Sequence, residues 1–409
     1  MEEKFGVSNV LKGILKDFSS LIVILGFVFL ITIVMGVVYI LTALFVEFFV
    51  FVGVIFSILL VFLVVGSGIL LNRVVFNKIP QDGRGLWKYF LHHEVPLGDY
   101  STGYRLNFIL SRLSFLAIMV VLFVVVLFIT GIVNIIPYIC CLLAPISVPL
   151  IIITITLPAM AWISFTYAFD PYEPEPRGMM ILAIIWGMLS TFPSLFLNTA
   201  NSLWMEDLGL STAVFSAPIV EEFFKSLGFF LIFTQIRDET DGVIYGSAFG
   251  AGFSLLENMI YGGQTVFMAG GLGFILLIGF RSFFNIMGHM LGPAMIGFFI
   301  GWTRRYLSPQ IAKRTSTPES HKITVIAVLI GLVVLGFIFS VLNHGLWNFL
   351  VSTENVWLIL IALLFGFVQL FMFVGLVILG YFLATGRYNK RLKEYQSRRR
   401  RYGKKPVFP

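Results

Sequence analysis

Seven ionisable side chains fall inside apolar stretches in the second half of this 409-residue chain: Glu221, Glu222, Lys225, Glu257, Arg281, His289 and His344. Asn258, Asn285, Asn343 and Asn348 accompany them. Carboxylates and imidazoles can take a proton from water, pass it on, or hold a divalent cation. A charge at the centre of a bilayer costs about 2.5–3.5 kcal/mol on insertion scales, so such groups face a bundle interior or a wet cavity. Seven of them exceed what a lipid-packed bundle needs, and each has a local setting.

The run Ala217-Pro-Ile-Val-Glu-Glu-Phe-Phe-Lys225 begins with Pro218, which suits the first turn of a helix. Glu221 and Lys225 are then i,i+4 neighbours, and Glu222 is i,i+3 to the same lysine. An ionised glutamate in a dry pocket is a competent base for water, with Lys225 tuning the pair. A plain ion pair at a span boundary would use the same string. Phe253 and Glu257 share a helix face, and Gly246-Ser-Ala-Phe-Gly250 upstream is a small-xxx-small pattern that lets helices approach closely. The bland role for Glu257 is pairing with Arg281. Arg281, Asn285 and His289 recur at i, i+4, i+8 and form one polar stripe on one helix. His344 and Asn348 likewise share a face: the histidine can bind a metal or donate a hydrogen bond, and the amide can donate to a developing oxyanion. The alternative there is an interfacial cap, with Trp347 in an aromatic belt.

These residues must be positioned by membrane helices. Hydrophobic residues make up 58% of the chain and charged residues 12%, with mean hydropathy +0.95. A soluble protein carries roughly 25% charged residues, so a water-soluble enzyme is excluded, and so is disorder. A helical span needs about 20 apolar residues. Ten candidates result, at about 20–45, 49–71, 107–133, 143–169, 178–198, 212–236, 241–263, 272–302, 322–350 and 356–384. Four prolines between 135 and 169 obscure one helix start. Met1–Ser20 lacks the short apolar core of a signal peptide. With both termini in the cytoplasm, the cytoplasmic segments hold 25 of the 28 lysines and arginines, Lys322 at a boundary included, and the external segments hold none. The others are Arg112, Lys225 and Arg281, inside spans. This is a strong positive-inside pattern. The expected architecture is an all-α polytopic membrane protein of about ten transmembrane helices.

The acidic, proline-rich segment Asp170–Arg177 separates two halves. Residues 1–106 supply two spans and a cytoplasmic segment, 107–170 two accessory spans, 178–384 a six-span core, and 385–409 a basic tail. Arg398–Arg401 with Lys404 and Lys405 suit anionic lipid head groups, and no nucleic acid is expected. The segment 72–106, with Trp87, Tyr89 and Phe90 beside charges, suits the membrane surface as well as an ordinary loop. His92 and His93 lie there, outside the bilayer and outside the expected chemistry. Cys140 and Cys141 are adjacent, which argues against a structural disulfide and excludes a cysteine metal cluster. Nothing indicates an oligomeric state.

Depth gives a check. Glu221 and Glu222 lie about ten residues from the outer end of their span, and Glu257 and His344 about six from theirs. All sit in the external half. His289, about 17 residues into its apparent span, lies deeper unless Gly270-Gly-Leu-Gly273 is a loop or that helix is strongly tilted.

At these residues the sequence resembles the PrsW family of polytopic intramembrane proteases, part of a larger group with the CAAX-prenyl proteases and the anterior-pharynx-defective subunit of gamma-secretase. The matching pieces are Glu221-Glu222-x-x-Lys225, Phe253-x-x-x-Glu257-Asn258, His289 in its own span, and His344-x-x-x-Asn348. They cover about a third of the chain, in order on four consecutive spans. CAAX proteases typically carry His where Glu257 stands, so that substrate class fits less well. The resemblance implies hydrolysis of peptide bonds in transmembrane or membrane-anchored proteins, at the cell membrane; in bacteria the family's named activity is cleavage of an anti-sigma factor on the extracytoplasmic side. The residues themselves suggest a Glu221 or Glu222 base, the first favoured by its i,i+4 relation to Lys225 and by the family analogy, with Glu257 and His289 orienting the water or sharing the proton and His344 and Asn348 polarising the carbonyl. Lys225, Phe253, Asn258, Arg281 and Asn285 would support them. Glu222, Glu257, His289 and His344 can alternatively supply zinc ligands. Two other classes use the same residues: a noncatalytic scaffold that binds helices, and an ion-coupled transporter. The transporter predicts inverted repeats, and none is visible.

Overall fold

The computed structural model describes residues 6–44, 46–77, 102–135, 144–172, 174–233, 235–352 and 355–402, with side chains at 38–50, 67–77 and 391–402 left aside. Cys140, Cys141, Lys404, Lys405 and the segment holding Trp87, Tyr89, Phe90, His92 and His93 lie outside the described residues. The described residues are almost wholly helical, as the composition requires. The main helices are α1 (Val7–Leu44), α2 (Val46–Asn77), α3 (Thr102–Val133), α4 (Ala144–Ala168), α5 (Arg177–Met205), α6 (Thr212–Ile232), α7 (Glu239–Phe280), α8 (Ile286–Trp302), α9 (Ser308–Ala312), α10 (Pro318–Val351) and α11 (Val356–Tyr402). The protein is an all-α polytopic membrane protein.

Among the described residues, seven helical segments are long and apolar enough to cross a membrane. Two of the ten expected spans are not among them. The span in α6 carries Glu221, Glu222 and Lys225, and α2 contributes only the shorter apolar stretch Phe51–Gly66. The longest of the seven, Glu239–Ala312, includes both α7 and α8 and doubles back at Gly270. That glycine has φ 64° and ψ −163°, a conformation L side chains avoid.

The two arms of this hairpin press backbone on backbone. A Cβ at Gly250 would lie 2.0 Å from the carbonyl oxygen of His289, and one at Gly242 1.9 Å from that of Gly297. The small-xxx-small pattern is therefore spent on the helix that carries His289. Within the second arm, Arg281–Asn285 forms a π-turn. Its wider winding helps bring residues four apart nearly into line, so Arg281, Asn285 and His289 converge although His289 lies deep in the sequence of its arm.

α5 packs on α7, α6 packs on α5 and α10, and α10 packs on α8. One difference from expectation concerns Pro218. α6 begins at Thr212, after an extended Ser211, so Pro218 is interior. A proline there leaves the carbonyl of Val214 without its usual i+4 donor. Gly345 of α10 approaches that carbonyl, so the helices meet closely at this end.

Basic residues gather at the opposite end of the bundle. Arg177 pairs with Asp17, Arg237 with Glu175 and Asp241, and Arg387 with Asp238 and Glu239. Arg304 donates to the carbonyl of Ile236. These contacts tie α1, α5, α7 and α11 at the end that the positive-inside pattern assigns to the cytoplasm.

Candidate active site

Two carboxylates organise the site. Glu222, 1% exposed, is bonded on both oxygens. Its Oε1 accepts from Lys225 Nζ at 2.5 Å and from His344 Nδ1 at 2.9 Å, and its Oε2 accepts from Ser340 Oγ at 2.5 Å. The lysine is itself fully buried, with its ammonium 4.2 Å from the centre of the Phe253 ring. A buried ion pair recovers its desolvation cost only when the remaining donors and acceptors are satisfied, and here serine, imidazole and aromatic face complete it. Sequence spacing put both Glu221 (i,i+4) and Glu222 (i,i+3) within reach of Lys225; the contact formed is the i,i+3 one to Glu222.

Glu257 is the second centre. Its Oε2 accepts from Arg281 Nη2 at 2.5 Å, Asn285 Nδ2 at 3.2 Å and His289 Nε2 at 2.8 Å. The expected Glu257–Arg281 pair is thus present, inside a larger network. Asn258 accepts from Arg281 Nε at 2.6 Å, and the guanidinium lies 4.1 Å from the centre of the Tyr261 ring. Trp347, 4% exposed and stacked on Phe280, donates its indole N–H to Asn285 Oδ1 at 3.1 Å. It is an interior support here, not a belt residue.

A proton chain joins the centres. Lys225 Nζ lies 2.9 Å from His289 Nδ1. An ammonium only donates, so the network assigns His289 an accepting Nδ1 and an Nε2–H that donates to Glu257. Glu222 is an acceptor, so His344 carries a proton on Nδ1 directed at it, and in the neutral imidazole Nε2 then keeps a lone pair. The two imidazole rings are 5.0 Å apart and nearly perpendicular.

The lone pair of His344 points toward Glu221. Glu221 Oε2 lies 3.7 Å from His344 Nε2, beyond hydrogen-bond length, and is a buried oxygen with no hydrogen-bond partner. Its other oxygen accepts only a long contact, 3.4 Å from Asn198 Nδ2. Two acceptors therefore face each other across a gap, which is costly in a buried place unless a proton donor or a cation lies between them. Glu221 and Glu222 are neighbours with opposite situations: one is locked by three donors and the other has a free acceptor aimed at a histidine.

The same gap fits a metal. Ligand atoms of Glu221, His289 and His344 all lie within 4.8 Å of one another. This set differs from the expected zinc ligands Glu222, Glu257, His289 and His344 in two ways: Glu221 stands in place of Glu222, which is committed to Lys225 and Ser340, and Glu257 lies outside the set, held by Arg281 and Asn285. His289 would exchange its contact with Glu257 to join. Glu222 on the far nitrogen of His344 is the kind of carboxylate–histidine support that orients metal-binding imidazoles.

Asn348 stands apart from both centres. Its amide donates to the carbonyl of Ala213 at 2.8 Å and staples α10 to the first turn of α6. The oxyanion role expected of it would require that amide to turn away.

Several participants carried no readable signal. Ser340 sits in an apolar run, where serine usually bonds its own helix carbonyl. Asn198, Asn201 and Ser216 form a relay beside Glu221: Asn201 Nδ2 donates to Ser216 Oγ at 2.8 Å, and Ser216 Oγ donates to Asn198 Oδ1 at 3.0 Å. Their segment lies at a span end, where polar residues are ordinary.

The family model that matches residues 175–379 is described as PrsW family intramembrane metalloprotease. Curated proteins named Protease PrsW are similar to part of this chain. That of Oceanobacillus iheyensis is 27% identical over 199 residues, 48% of this chain and 80% of its own length. That of Geobacillus kaustophilus is 28% identical over 153 residues, 35% of this chain and 62% of its own. That of Bacillus subtilis is 26% identical over 160 residues, 36% of this chain and 66% of its own. No solved structure matches the chain.

Proposed function

Since this chain belongs to the PrsW family of intramembrane metalloproteases, we propose that Glu221 is the carboxylate by which it activates water against a peptide bond of a membrane protein. The observation that supports this is the unpartnered, buried Oε2 of Glu221, 3.7 Å from His344 Nε2. Membrane endopeptidase activity is what the family provides, and the contacts support the assignment of roles.

A water in the gap donates one proton toward Glu221 Oε2 and the other toward His344 Nε2. As the water oxygen attacks the scissile carbonyl carbon, Glu221 takes its proton and the carbonyl pair moves onto oxygen. Asn198, whose contact to Glu221 is long, can turn an N–H toward that oxygen. Collapse of the tetrahedral carbon breaks the C–N bond, and Glu221 returns the proton to the leaving amine. Glu222 stays ionised throughout and holds His344 in the required tautomer. Lys225, His289 and Glu257 keep that arrangement from relaxing, with Arg281, Asn285 and Asn258 fixing Glu257. When a divalent ion is bound, Glu221, His289 and His344 are the residues to hold it, and it supplies Lewis-acid polarisation of water and carbonyl.

The core 178–384 carries this chemistry, in the external half of the cell membrane if the basic end of the bundle faces the cytoplasm. Its substrate is a transmembrane or membrane-anchored protein. Purified protein in bilayers, offered a membrane-anchored reporter, tests the reading: cleavage by wild type and none by Glu221→Gln is expected. Cleavage unaffected in Glu221→Gln would overturn it. Parallel chelation decides the role of the ion, since loss restored by zinc assigns one to the Glu221, His289 and His344 gap.

A further inference from the structure

A second polar chamber lies far from these carboxylates, at the basic end of the bundle. It has a volume of about 420 Å³ and lies between the start of α1, the start of α3 and the segment before α5. Among the described residues, the cationic side chains of Lys12, Lys16, Arg112 and Arg177 line it, against the carboxylate of Glu175. Asn107 and Ser111 add polar groups. Glu175 does not balance those charges, because its carboxylate already pairs with Arg237 at 2.9 Å and accepts from Tyr245.

The buried members of the set are incompletely paired: Arg112 Nη1 donates to Ser111 Oγ at 2.6 Å, and Asp17 Oδ2 is itself a buried acceptor without a hydrogen bond. Arg112 is 5% exposed and belongs to the first half of the chain, where the protease chemistry has no use for it. One carboxylate, Asp17, serves two guanidinium groups, at 3.4 Å from Arg112 and 2.9 Å from Arg177. Arg112 Nε and Arg177 Nη1 are buried donors with no hydrogen-bond partner. A buried, unsatisfied donor of a charged group is costly, and an anion in the chamber would remove that cost. Aromatic faces from Phe108 and Tyr167 hold the Arg112 guanidinium in place, 4.4 and 5.1 Å away. The site is therefore built before any ligand arrives.

Its surroundings select the kind of anion. α1 exposes Leu11, Leu15 and Ile22 to the outside, alternating with Lys12 and Lys16. A narrow, mostly apolar cleft, lined in part by Ile24, Phe115 and Ile184, adjoins the chamber and shares Arg112, Tyr167 and Arg177 with it. Cations with an apolar wall directly beside them suit an amphiphile better than a free ion. We propose that this chamber binds the phosphate of an anionic phospholipid, whose chains lie along the apolar face of α1. Bound there, the lipid links α1 and α3 to Arg177 at the start of α5, and so ties the accessory helices to the protease core.

The test is thermal unfolding of the full chain in nanodiscs of phosphatidylcholine, with and without phosphatidylglycerol. A further sample in phosphatidylcholine receives inorganic phosphate instead. Phosphatidylglycerol should raise the unfolding temperature by about 4 °C, and salt should diminish the gain. Arg112→Gln is the obvious variant, but it also strands Asp17, so the exposed pair Lys12→Gln/Lys16→Gln carries the test. It should fold and lose at least about half of the gain, while replacing Arg398 to Arg401 by Gln should leave the gain intact. The proposal is overturned if phosphatidylcholine alone stabilises equally, if Lys12→Gln/Lys16→Gln keeps the full gain, or if only the tail variant loses it. An equal gain from inorganic phosphate would make this a free-anion site and overturn the lipid assignment.

Discussion

At the scale of single residues, two adjacent glutamates divide the work by the donors around them. Glu222 spends both oxygens on Lys225, His344 and Ser340, whereas Glu221 keeps one buried oxygen free. Ser340→Ala should cost about 1.5–3 kcal/mol, the value of a buried hydrogen bond to a charged group, seen as a lower unfolding temperature together with reduced activity. An unchanged unfolding temperature would mean that the contact to Glu222 is not formed. Asn198→Ala should lower kcat by about tenfold or more with little change in KM, because the residue positions Glu221 and faces the reacting carbonyl; a rise in KM alone would make it a binding residue instead. Much of this site was readable as a set of residue types on neighbouring helices, since charge in an apolar run is expensive enough to stand out. Who pairs with whom was not readable. Both Glu221 and Glu222 are within helical reach of Lys225, and the choice is made by Ser340 and His344 on a helix more than a hundred positions away.

At the scale of elements, the hairpin of α7 and α8 determines which side chains meet. Gly246-Ser-Ala-Phe-Gly250 was legible as a close-approach surface, because small residues at that spacing have few other uses in a membrane helix. Its partner and register were not, and they decide that Gly250 backs His289. The π-turn at Arg281–Asn285 was also hidden, because its effect on the i, i+4, i+8 stripe depends on the opposing helix. Gly250→Leu should force the arms apart, since its Cβ alone would lie 2.0 Å from backbone. We expect loss of folded protein on expression, or a destabilisation of about 1–3 kcal/mol or more where it survives, as overpacking against rigid backbone does. A stable, fully active Gly250→Leu variant would contradict this packing.

At the scale of the whole molecule, the candidate catalytic side chains and the cationic clamp occupy opposite ends of one bundle. The clamp has its own pH signature through Glu175, which lies between α4 and α5. Burial, and then the neighbouring Asp241, push the Glu175 carboxyl well above the usual carboxylate range. A carboxyl raised in the folded state favours folding most below its unfolded pKa, and that contribution is lost as pH rises through the folded value. Stability should therefore fall on the alkaline side of the ordinary carboxylate range, and Glu175→Gln should flatten that fall in unfolding temperatures measured from about pH 5 to about pH 9. A curve of the same shape in Glu175→Gln would place the titration elsewhere. The asymmetry between the two ends was visible in the distribution of lysine and arginine. That acids and bases at the basic end interlock into a clamp was not, because Asp17, Glu175 and Asp238 are scattered over more than two hundred residues.

The most direct measurement of the central claim compares Glu221→Gln with Glu222→Gln in bilayers, on one membrane-anchored substrate, with unfolding temperatures taken in parallel. The account requires Glu221→Gln to keep its fold and substrate affinity while kcat falls by about 10²–10⁴-fold. It requires Glu222→Gln to lose stability as well as rate, since Lys225 is then left buried without its carboxylate. The reverse result, a destabilised Glu221→Gln or a stable but inactive Glu222→Gln, would assign water activation to the other glutamate and contradict the account.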